Sequence, residues 1–239
     1  MPITHLNSEL FFPEPDQFED DGLVAIGGDL RPERLLLAYQ RGIFPWCSPE
    51  DPLLWWSPDP RAILRLDRFK TSKSLRSVLN RKAFDIRVDT EFEAVIRACG
   101  DRGMEGTWIS EDFIEGYCNL HTLGFAHSIE AWQGGQLVGG LYGVSIGGLF
   151  FGESMFSRVS NASKVALAHL VQSLKELGFE GVDCQLMNDH LASLGAEHIS
   201  RAEFQDLIAR ALKRETIRGP WTNVEAFASR PEEANRRTL

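Results

Sequence analysis

In one stretch of the chain, residues 149–186, the spacing of apolar residues changes from that of a strand to that of a helix and back to that of a strand. The rest of the chain is organised around this stretch. Residues 149–156 are aromatic and apolar with Glu153 set among them, and they predict a strand. A polar loop follows and ends at Asn161, whose side chain suits a helix N-cap. Residues 179–186 predict a second strand. Between loop and strand, these apolar residues recur at helical spacing: Val165, Leu167, Ala168, Leu170, Val171, Leu174 and Leu177.

Shorter patterns predict the remaining elements. The predicted helices are 32–41, 71–80, 91–99, 111–123, 188–194 and 201–212. The predicted strands are 62–66, 84–88, 126–132, 137–145 and 197–199, so that an antiparallel meander leads into the central stretch. The predicted N-caps are Thr71 or Ser72, Thr90, Ser110 and Ser200, the last in a capping box with Glu203. The polar segment beyond Arg214 is predicted to be loosely held.

The first sixty residues differ from the rest, because they are rich in proline, glycine and tryptophan and cannot form one regular element. We therefore predict a small N-terminal domain at residues 1–62 and a larger domain at residues 63–239. In the larger part, the order of meander, capped helix, strand and helix is an α/β (α+β) pattern of the acetyltransferase type.

The second strand of the central stretch carries candidate chemistry. Asp183 and Gln185 are two residues apart, so strand alternation predicts that they share one face while Cys184 points to the other. A carboxylate beside an amide can hold an amine and stabilise developing charge, and Glu153 on the neighbouring strand would add a second acid. Spacing alone favours the other interpretation, in which the two residues are a polar strand end in solvent. Cys184 has no histidine nearby in sequence to activate it as a nucleophile.

Several blocks of sequence resemble the leucyl/phenylalanyl-tRNA–protein transferases. The central stretch contains FGESMFS, NASK and DCQ, and HLASLGA follows it. Upstream, the similar blocks are GGDLRPERLLLAYQRGIFPW, LWWSPDPR, GTWI and LVGGLYGV. The blocks occur in the order of the family and span roughly residues 12–204, which covers nearly the whole chain.

This resemblance implies an activity. A member of the family moves leucine or phenylalanine, and less readily methionine, from its tRNA to a protein whose N-terminal residue is Arg or Lys, and so marks that protein for N-end-rule degradation. The resemblance also implies an acetyltransferase-like domain after a small N-terminal domain. An aminoacyl ester is already activated, so neither a cofactor nor a metal is expected. Good positioning of a partly neutral α-amine can suffice.

The resemblance further implies roles for individual residues. Asp183 would polarise and orient Gln185, which would contact the acceptor amine, and Glu153 would hold an ammonium or the basic side chain of the acceptor. Trp46 and Trp108 match positions that contact the terminal adenosine. Candidates for the donor side-chain pocket are Met155, Leu141, Val182 and Leu174, and weaker pocket candidates are Tyr39, Tyr117 and Asn188.

Charge is unevenly distributed along the chain. The net charge of −9 argues mildly against a nucleic-acid partner, yet residues 61–87 hold nine basic residues and only two acidic ones. By resemblance this run would contact the phosphates of the tRNA acceptor stem without reading its bases. The candidate residues for tRNA binding are Arg65, Arg68, Lys70, Lys73, Arg76, Arg81 and Lys82. A solvated helical face is the alternative interpretation.

Composition and motifs limit the other function classes. The four cysteines are widely spaced and indicate neither a zinc site nor a disulfide framework. The N-terminal residues lack the features of a signal peptide, and no apolar run is long enough to span a membrane. We expect a cytoplasmic protein that is a monomer and has no membrane partner.

Two other functions remain open at this point. The first alternative is a CoA-dependent N-acetyltransferase on the same fold, but the loop at 157–163 lacks the glycines that such enzymes use for the pyrophosphate. The second is a non-catalytic module that binds tRNA or peptide. An assay of transfer with and without CoA distinguishes these functions from aminoacyl transfer.

Overall fold

The first part of the chain forms a small mixed sheet. The computed structural model describes residues 3–18, 21–103 and 106–227. Its first sheet has the strand order β1-β2-β4-β3. The elements of this part are β1 (Thr4–Leu6), β2 (Leu23–Gly27), α1 (Pro32–Gln40), β3 (Phe44–Pro45) and β4 (Leu54–Trp56). The predicted helix at 32–41 is thereby confirmed, with proline in its first turn as expected for a helix start.

The second part forms a seven-stranded sheet with the order β11-β5-β10-β9-β8-β7-β6. Its first elements are β5 (Arg61–Leu64), α2 (Lys73–Asn80), β6 (Asp85–Val88), α3 (Phe92–Gly100) and α4 (Glu111–Thr122). The meander and central stretch follow as β7 (Ala126–Gln133), β8 (Gln136–Ile146), β9 (Leu149–Ser157), α5 (Ala162–Glu176) and β10 (Gly181–Gln185). The last elements are α6 (Asp189–Leu194), β11 (Glu197–Ile199) and α7 (Arg201–Ala211).

The topology confirms the predicted acetyltransferase-like order. Strands β6 to β9 are antiparallel neighbours, and β10 pairs in parallel with β9 after the crossover through α5. Strand β5 lies between β10 and β11 and pairs with both of them in antiparallel fashion. The parallel pairing of β9 with β10 places Glu153, which lies further along β9, beside the end of β10. This junction is where the candidate site forms.

Helix starts agree with the predictions in part. The Ser72 hydroxyl accepts the backbone N–H of Leu75, and Ser200 forms the predicted capping box. Ser110 and Asn161 stand at the N-cap positions of α4 and α5 as predicted, but neither side chain makes a capping bond. The predicted cap at Thr90 is wrong. Helix α3 begins after Glu91, because the Thr90 hydroxyl donates to the buried carboxylate of Glu130 instead.

The two sheets share one hydrophobic core. Buried residues of α1, such as Leu35, belong to the same cluster as Ile63 of β5, Leu149 of β9 and Phe204 of α7. The chain passes from one sheet to the other between residues 56 and 61. The domain boundary at residue 62 stays a prediction. Within the described ranges, no helix combines the length and the apolar character needed to cross a bilayer.

The prediction of a loosely held segment after Arg214 is wrong for the residues that the structure describes there. Trp221 is fully buried, and its ring stacks on that of His127 with a centroid separation of 3.8 Å. Its backbone N–H donates to Asp89 at 2.8 Å. Phe227 stacks on Trp221 with a centroid separation of 4.3 Å. Two aromatic residues are enough to anchor a segment that is otherwise polar.

Candidate active site

A cavity of about 330 Å³ opens beside the junction of β9 and β10. Three of the predicted pocket residues line it, namely Leu141, Met155 and Val182. Asn188 also lines it while its side chain caps α6 by accepting the N–H of Leu191 at 2.9 Å. An apolar cavity with a few polar groups at its edge is the usual form of a small-molecule site. The other residues of the lining include Tyr142, Phe150, Leu167, Leu170, Cys184 and Arg102.

Leu174 does not belong to this lining. It is fully buried in the core beneath the sheet, one helical turn beyond the residues of α5 that reach the cavity. Those residues are Leu167 and Leu170, which belong to the same apolar stripe in the sequence. Helical spacing identifies the buried face of α5 and does not identify which turn along the helix axis reaches the cavity.

Glu153 is the centre of the polar part of the site. Its Oε1 accepts the Tyr39 hydroxyl at 2.7 Å and the Gln185 side-chain amide at 2.8 Å. Its Oε2 accepts the Tyr117 hydroxyl at 2.8 Å. The two tyrosine hydroxyls also contact each other. The structure therefore brings together four predicted site residues from α1, α4, β9 and β10, and these form the Glu153 cluster: Tyr39, Tyr117, Glu153 and Gln185.

Burial controls the charge of this group. Loss of solvent around Glu153 raises the pKa of its carboxyl from 4.5 to about 7, although the hydrogen bonds from Tyr39, Tyr117 and Gln185 act in the opposite direction. The negative charge of Asp183 contributes to the increase. Both protonation states of Glu153 are therefore populated near neutral pH, which is the range in which a carboxyl can take and return a proton.

Asp183 lies on β10 and is fully buried. Its carboxylate and the guanidinium of Arg61 form a two-pronged ion pair at 2.9 and 2.7 Å, and both side chains are fully buried. Arg61 also donates to the carbonyl of Gly42 at 3.2 Å and lies over the rings of Phe44 and Phe204. Asp183 is thus neutralised by a partner on β5, a partner that the sequence did not predict.

Strand alternation did not predict the geometry at the end of β10. The register shifts between Asp183 and Gln185, and Gln185 has φ 63°, a left-handed conformation that is unfavourable for most residues. The Gln185 backbone N–H donates to Asp183 Oδ1 at 2.9 Å. Asp183 therefore holds the backbone of Gln185, while the Gln185 side-chain amide reaches Glu153.

Cys184 lines the cavity, on the face opposite to Asp183. Burial raises the pKa of its thiol to about 12, and the charge of Asp183 adds to the increase. The thiolate is the nucleophilic form, so this cysteine is a poor nucleophile near neutral pH. It contributes apolar surface to the cavity beside Val182.

Two family models match the chain. A model described as "Leucyl/phenylalanyl-tRNA protein transferase" matches residues 63–209, and one for the N-terminal domain of the same family matches residues 28–59. The chain belongs to the leucyl/phenylalanyl-tRNA–protein transferase family. The match covers every strand and helix that builds the cavity and the Glu153 cluster.

Individual relatives agree with this assignment. The leucyl/phenylalanyl-tRNA–protein transferase of Desulforapulum autotrophicum is 50% identical over 92% of this chain and 98% of its own length. That of Syntrophus aciditrophicus is 52% identical over 93% of this chain and 94% of its own length. Among solved structures, that of L-PGS from Bacillus licheniformis covers 66% of this chain and 52% of its own at 18% identity, with a TM-score of 0.36. This last likeness is too distant to carry an argument.

In this member of the transferase family, the two predicted adenosine contacts lie outside the cavity lining. Trp46 is 42% exposed and packs edge-to-face against Trp56, whose indole N–H donates to the Trp46 carbonyl at 2.7 Å. Trp108 packs edge-to-face on Phe113 of α4, the helix that carries Tyr117. An exposed indole is available for stacking on a base, whereas a partly buried one is also part of the core.

The basic residues predicted to contact tRNA fall into two groups. Lys73, Arg76 and Arg81 border a shallow hollow on α2. Arg65 is half-buried and forms an ion pair with Glu197, so it is less available to phosphates than the residues on α2. The remaining members of the predicted set are Arg68, Lys70 and Lys82.

Sequence reasoning did not predict three features of this transferase site. Arg61 was counted only as part of the basic run, although its position in a four-residue buried strand, RAIL, was a signal for a buried ion pair. Phe150 was recognised as apolar but not as cavity lining. Arg102, which lines the cavity and lies near Ser154, follows helix α3 in an irregular segment, and nothing in the local pattern marks it.

Proposed function

We propose that this protein is an aminoacyltransferase that moves leucine or phenylalanine, and less readily methionine, from aminoacyl-tRNA to the N-terminal amine of an acceptor protein. The observation that carries the proposal is the cavity of about 330 Å³, which has apolar residues such as Leu141 and Met155 in its wall and the Glu153 cluster at its polar edge, in a chain that belongs to this family. Such a cavity suits an unbranched or γ-branched apolar side chain next to a reacting ester.

The cavity explains how donors would be selected. The apolar surface of the cavity includes Leu141, Met155 and Leu170. Met155 lets this surface adapt to different side chains, because methionine has three flexible torsions. A leucine, phenylalanine or methionine side chain would leave water on entering it. A side chain branched at Cβ would meet the cavity wall near the ester, which disfavours isoleucine and valine. Donor selection would then rest on shape.

The chemistry would rest mainly on positioning. Gln185 and Glu153 would contact the acceptor amine, while Asp183 and Arg61 keep Gln185 in its unusual backbone conformation. Asp183 is a positioning residue in this scheme, since its carboxylate is already occupied by the guanidinium and a backbone N–H. The amine would attack the ester carbon from a fixed position, and fixed geometry can replace much of the activation that a bimolecular reaction requires.

The hollow on α2 would bind the tRNA backbone. Lys73, Arg76 and Arg81 present three positive charges on one exposed surface, and further basic residues lie nearby in sequence. Phosphate contacts of this kind position a nucleic acid and read no sequence. Binding that does not depend on base sequence would allow the enzyme to accept tRNAs for different amino acids. Trp46 and Trp108 would lie near the terminal adenosine.

The acceptor would be a protein with N-terminal Arg or Lys, and the product would enter N-end-rule degradation in the cytoplasm. We further propose that the enzyme works as a monomer. A transfer assay tests the activity directly. Leucyl-tRNA with labelled leucine is incubated with a peptide that begins with Arg and, separately, with a matched peptide that begins with Ala, and neither ATP nor CoA is added. Label is expected on the Arg peptide alone.

The same assay separates the alternative functions. If neither leucyl-tRNA nor phenylalanyl-tRNA labels either peptide, and labelled acetyl-CoA does so, the protein is an N-acetyltransferase. If tRNA binds and no donor is transferred, the protein is a binding module. Label on both peptides would keep the transferase activity and reject the preference for a basic N-terminal residue.

A further inference from the structure

Three oxygen-bearing groups form a closed triangle at the polar edge of the cavity. Tyr39 Oη lies 2.7 Å from Glu153 Oε1, Tyr117 Oη lies 2.8 Å from Glu153 Oε2, and the two hydroxyl oxygens are 2.5 Å apart. All three separations are hydrogen-bond distances, and each needs one hydrogen between its two oxygens. The Gln185 amide adds a fourth contact and brings its own hydrogen.

The number of hydrogens in this triangle depends on the charge of Glu153. The tyrosines supply one hydrogen each, because burial raises the pKa of both hydroxyls well above its usual value. When Glu153 is ionised, only the two tyrosine hydrogens are available for the three pairs of oxygens. One pair then has no hydrogen between its two oxygens. When Glu153 is protonated, Oε2 donates to Tyr117, Tyr117 to Tyr39 and Tyr39 to Oε1, so the ring is complete.

We propose that this triangle is the proton acceptor of the transfer reaction, with Glu153 as the catalytic residue that takes a proton from the α-ammonium of the acceptor protein. The inference rests on the proposed function and adds a role that neither Asp183 nor Gln185 can fill. Asp183 is occupied by Arg61, and a neutral amide is a poor base. Glu153 lines the cavity and retains an acceptor position on Oε2, where a carboxylate oxygen can accept two hydrogen bonds.

The proposed step balances in atoms and charge. The acceptor enters as R–NH₃⁺, one N–H bond breaks, and its proton moves to Glu153 while the electron pair stays on nitrogen. The nitrogen attacks the ester carbon, a C–N bond forms, and the C–O bond to the terminal ribose breaks. The ribose oxygen leaves with a second proton from the nitrogen. Glu153 returns its proton to water, so one proton is released for each peptide bond formed.

The groups around Glu153 favour the transfer of a proton between the acceptor amine and its carboxyl. Asp183 approaches Glu153 from β10, and Arg102 and His190 line the same cavity. Cys184 stays a neutral thiol there. With its pKa near 7, the carboxyl lies within about one unit of the reference value for an α-amine, so the proton transfer is nearly balanced. Three tyrosines face Glu153 from α1, α4 and β8, and they are Tyr39, Tyr117 and Tyr142.

The variant Glu153→Gln tests the proposal. Its amide can donate to Tyr117 and accept from Tyr39, so the ring stays closed and the fold is expected to be retained, but the group cannot take a proton. Full-length protein is assayed in single turnovers with leucyl-tRNA and two peptides. One begins with Arg, and the other is identical except that an aminooxy group, which is largely neutral near pH 7, replaces its α-amine.

We expect Glu153→Gln to slow transfer to the amine peptide by about 100-fold or more and to slow transfer to the aminooxy peptide by less than about fivefold. The wild-type rate with the amine peptide should rise as pH increases through 7, where Glu153 ionises, whereas the rise in the variant should move to about pH 8, where the α-amine itself becomes neutral. Glu115→Gln, a matched change on the exposed face of α4, should leave both rates unchanged.

Other outcomes overturn the proposal. Equal loss with both peptides would mean that Glu153 binds or supports the site and takes no proton. Retention of both rates, or an unaltered pH profile in Glu153→Gln, would assign the proton to another group. Failure of the wild-type protein with both peptides would instead reject the proposed function itself, and the inference with it.

Discussion

Asp183 and Arg61 meet inside the protein, where both side chains are inaccessible to solvent. Removing two charges from water is unfavourable, and the two-pronged geometry and the added contacts to Gly42 and Gln185 compensate for it. Both oxygens of this carboxylate are occupied by hydrogen bonds from the guanidinium and the Gln185 backbone. At the scale of single residues, the pair is best understood as the support for one strained residue, Gln185.

This support predicts a large effect of Asp183→Ala on stability. The substitution leaves the Arg61 guanidinium buried and unpaired, so we expect the free energy of unfolding to fall by about 3–5 kcal/mol. The double variant Arg61→Met, Asp183→Ala removes both charges and should recover at least about 2 kcal/mol of that decrease. Urea denaturation of the three proteins measures both differences.

Transfer activity should separate from stability in the same variants. Under conditions where each protein is folded, the double variant should bind leucyl-tRNA and still transfer slowly, because nothing holds the Gln185 backbone. A double variant with wild-type turnover would show that the ion pair serves stability alone.

Glu153 predicts a dependence of stability on pH. Its pKa is raised from 4.5 in the unfolded chain to about 7 in the folded protein, so the folded state binds the proton more tightly. The resulting stabilisation is complete below pH 4.5 and disappears as pH rises through 7. Between about pH 5 and about pH 8, wild-type protein should lose about 2 kcal/mol relative to Glu153→Gln. Urea denaturation at both pH values provides the comparison. An equal change in the free energy of unfolding of the two proteins between these pH values would contradict the prediction.

Single residues show clearly what sequence can and cannot predict. Asp183, Gln185 and Glu153 were found by their polar character within apolar strands. Their partners could not be found in this way, because Tyr39 and Tyr117 meet Glu153 across separations of 114 and 36 residues. Local patterns carry no information on such distances, and the left-handed conformation of Gln185 has no sequence signature.

At the scale of elements, periodic segments were predicted well and their ends less well. Helices α1, α2, α4, α5 and α7 were all expected from their apolar spacing, and their observed bounds differ by a few residues. The errors lie where a tertiary contact overrides local chemistry, as at Thr90, which bonds to Glu130 on a neighbouring strand. Leu174 is a similar case, because depth in the core depends on how α5 packs.

Helix α2 predicts how tRNA binding depends on salt. If Lys73, Arg76 and Arg81 neutralise phosphates, changing all three to Gln should weaken leucyl-tRNA binding and reduce the slope of log K against log salt by about one for each phosphate left without its basic partner. Binding titrations at several salt concentrations measure the slope. Lys213→Gln, an exposed change just after α7, is the control that should leave it unaltered. An unchanged slope in the triple variant would exclude α2 as the phosphate-binding surface.

At the scale of the whole molecule, the segment after Arg214 has an unexpected part in the site. Trp221 stacks on His127 and lies 5.8 Å from the ring of Phe150, which lines the cavity. A segment remote in sequence thus supports the wall of the cavity from behind. The polar composition of this segment did not predict such a role, because the packing contacts come from its two aromatic residues.

Trp221→Ala should therefore affect both stability and donor binding. Removal of a fully buried indole is expected to lower the free energy of unfolding by about 3–5 kcal/mol and to weaken phenylalanine transfer, as Phe150 relaxes into the space. The control is Trp132→Ala, a partly buried tryptophan near the edge of the sheet, which should have a smaller effect. Thermal unfolding and transfer rates with both donors measure the two consequences. An effect of Trp221→Ala no greater than that of Trp132→Ala would contradict this account.

The shared core has a consequence for biosynthesis. Its buried residues begin at Leu6 and end at Ala211, so the cluster is incomplete until nearly the whole of α7 has been synthesised. The Glu153 cluster likewise waits for β10. A nascent chain on the ribosome emerges beside a large pool of charged tRNA. Because the Glu153 cluster needs β10 and the core needs α7, a shorter nascent chain lacks the complete site for aminoacyl transfer.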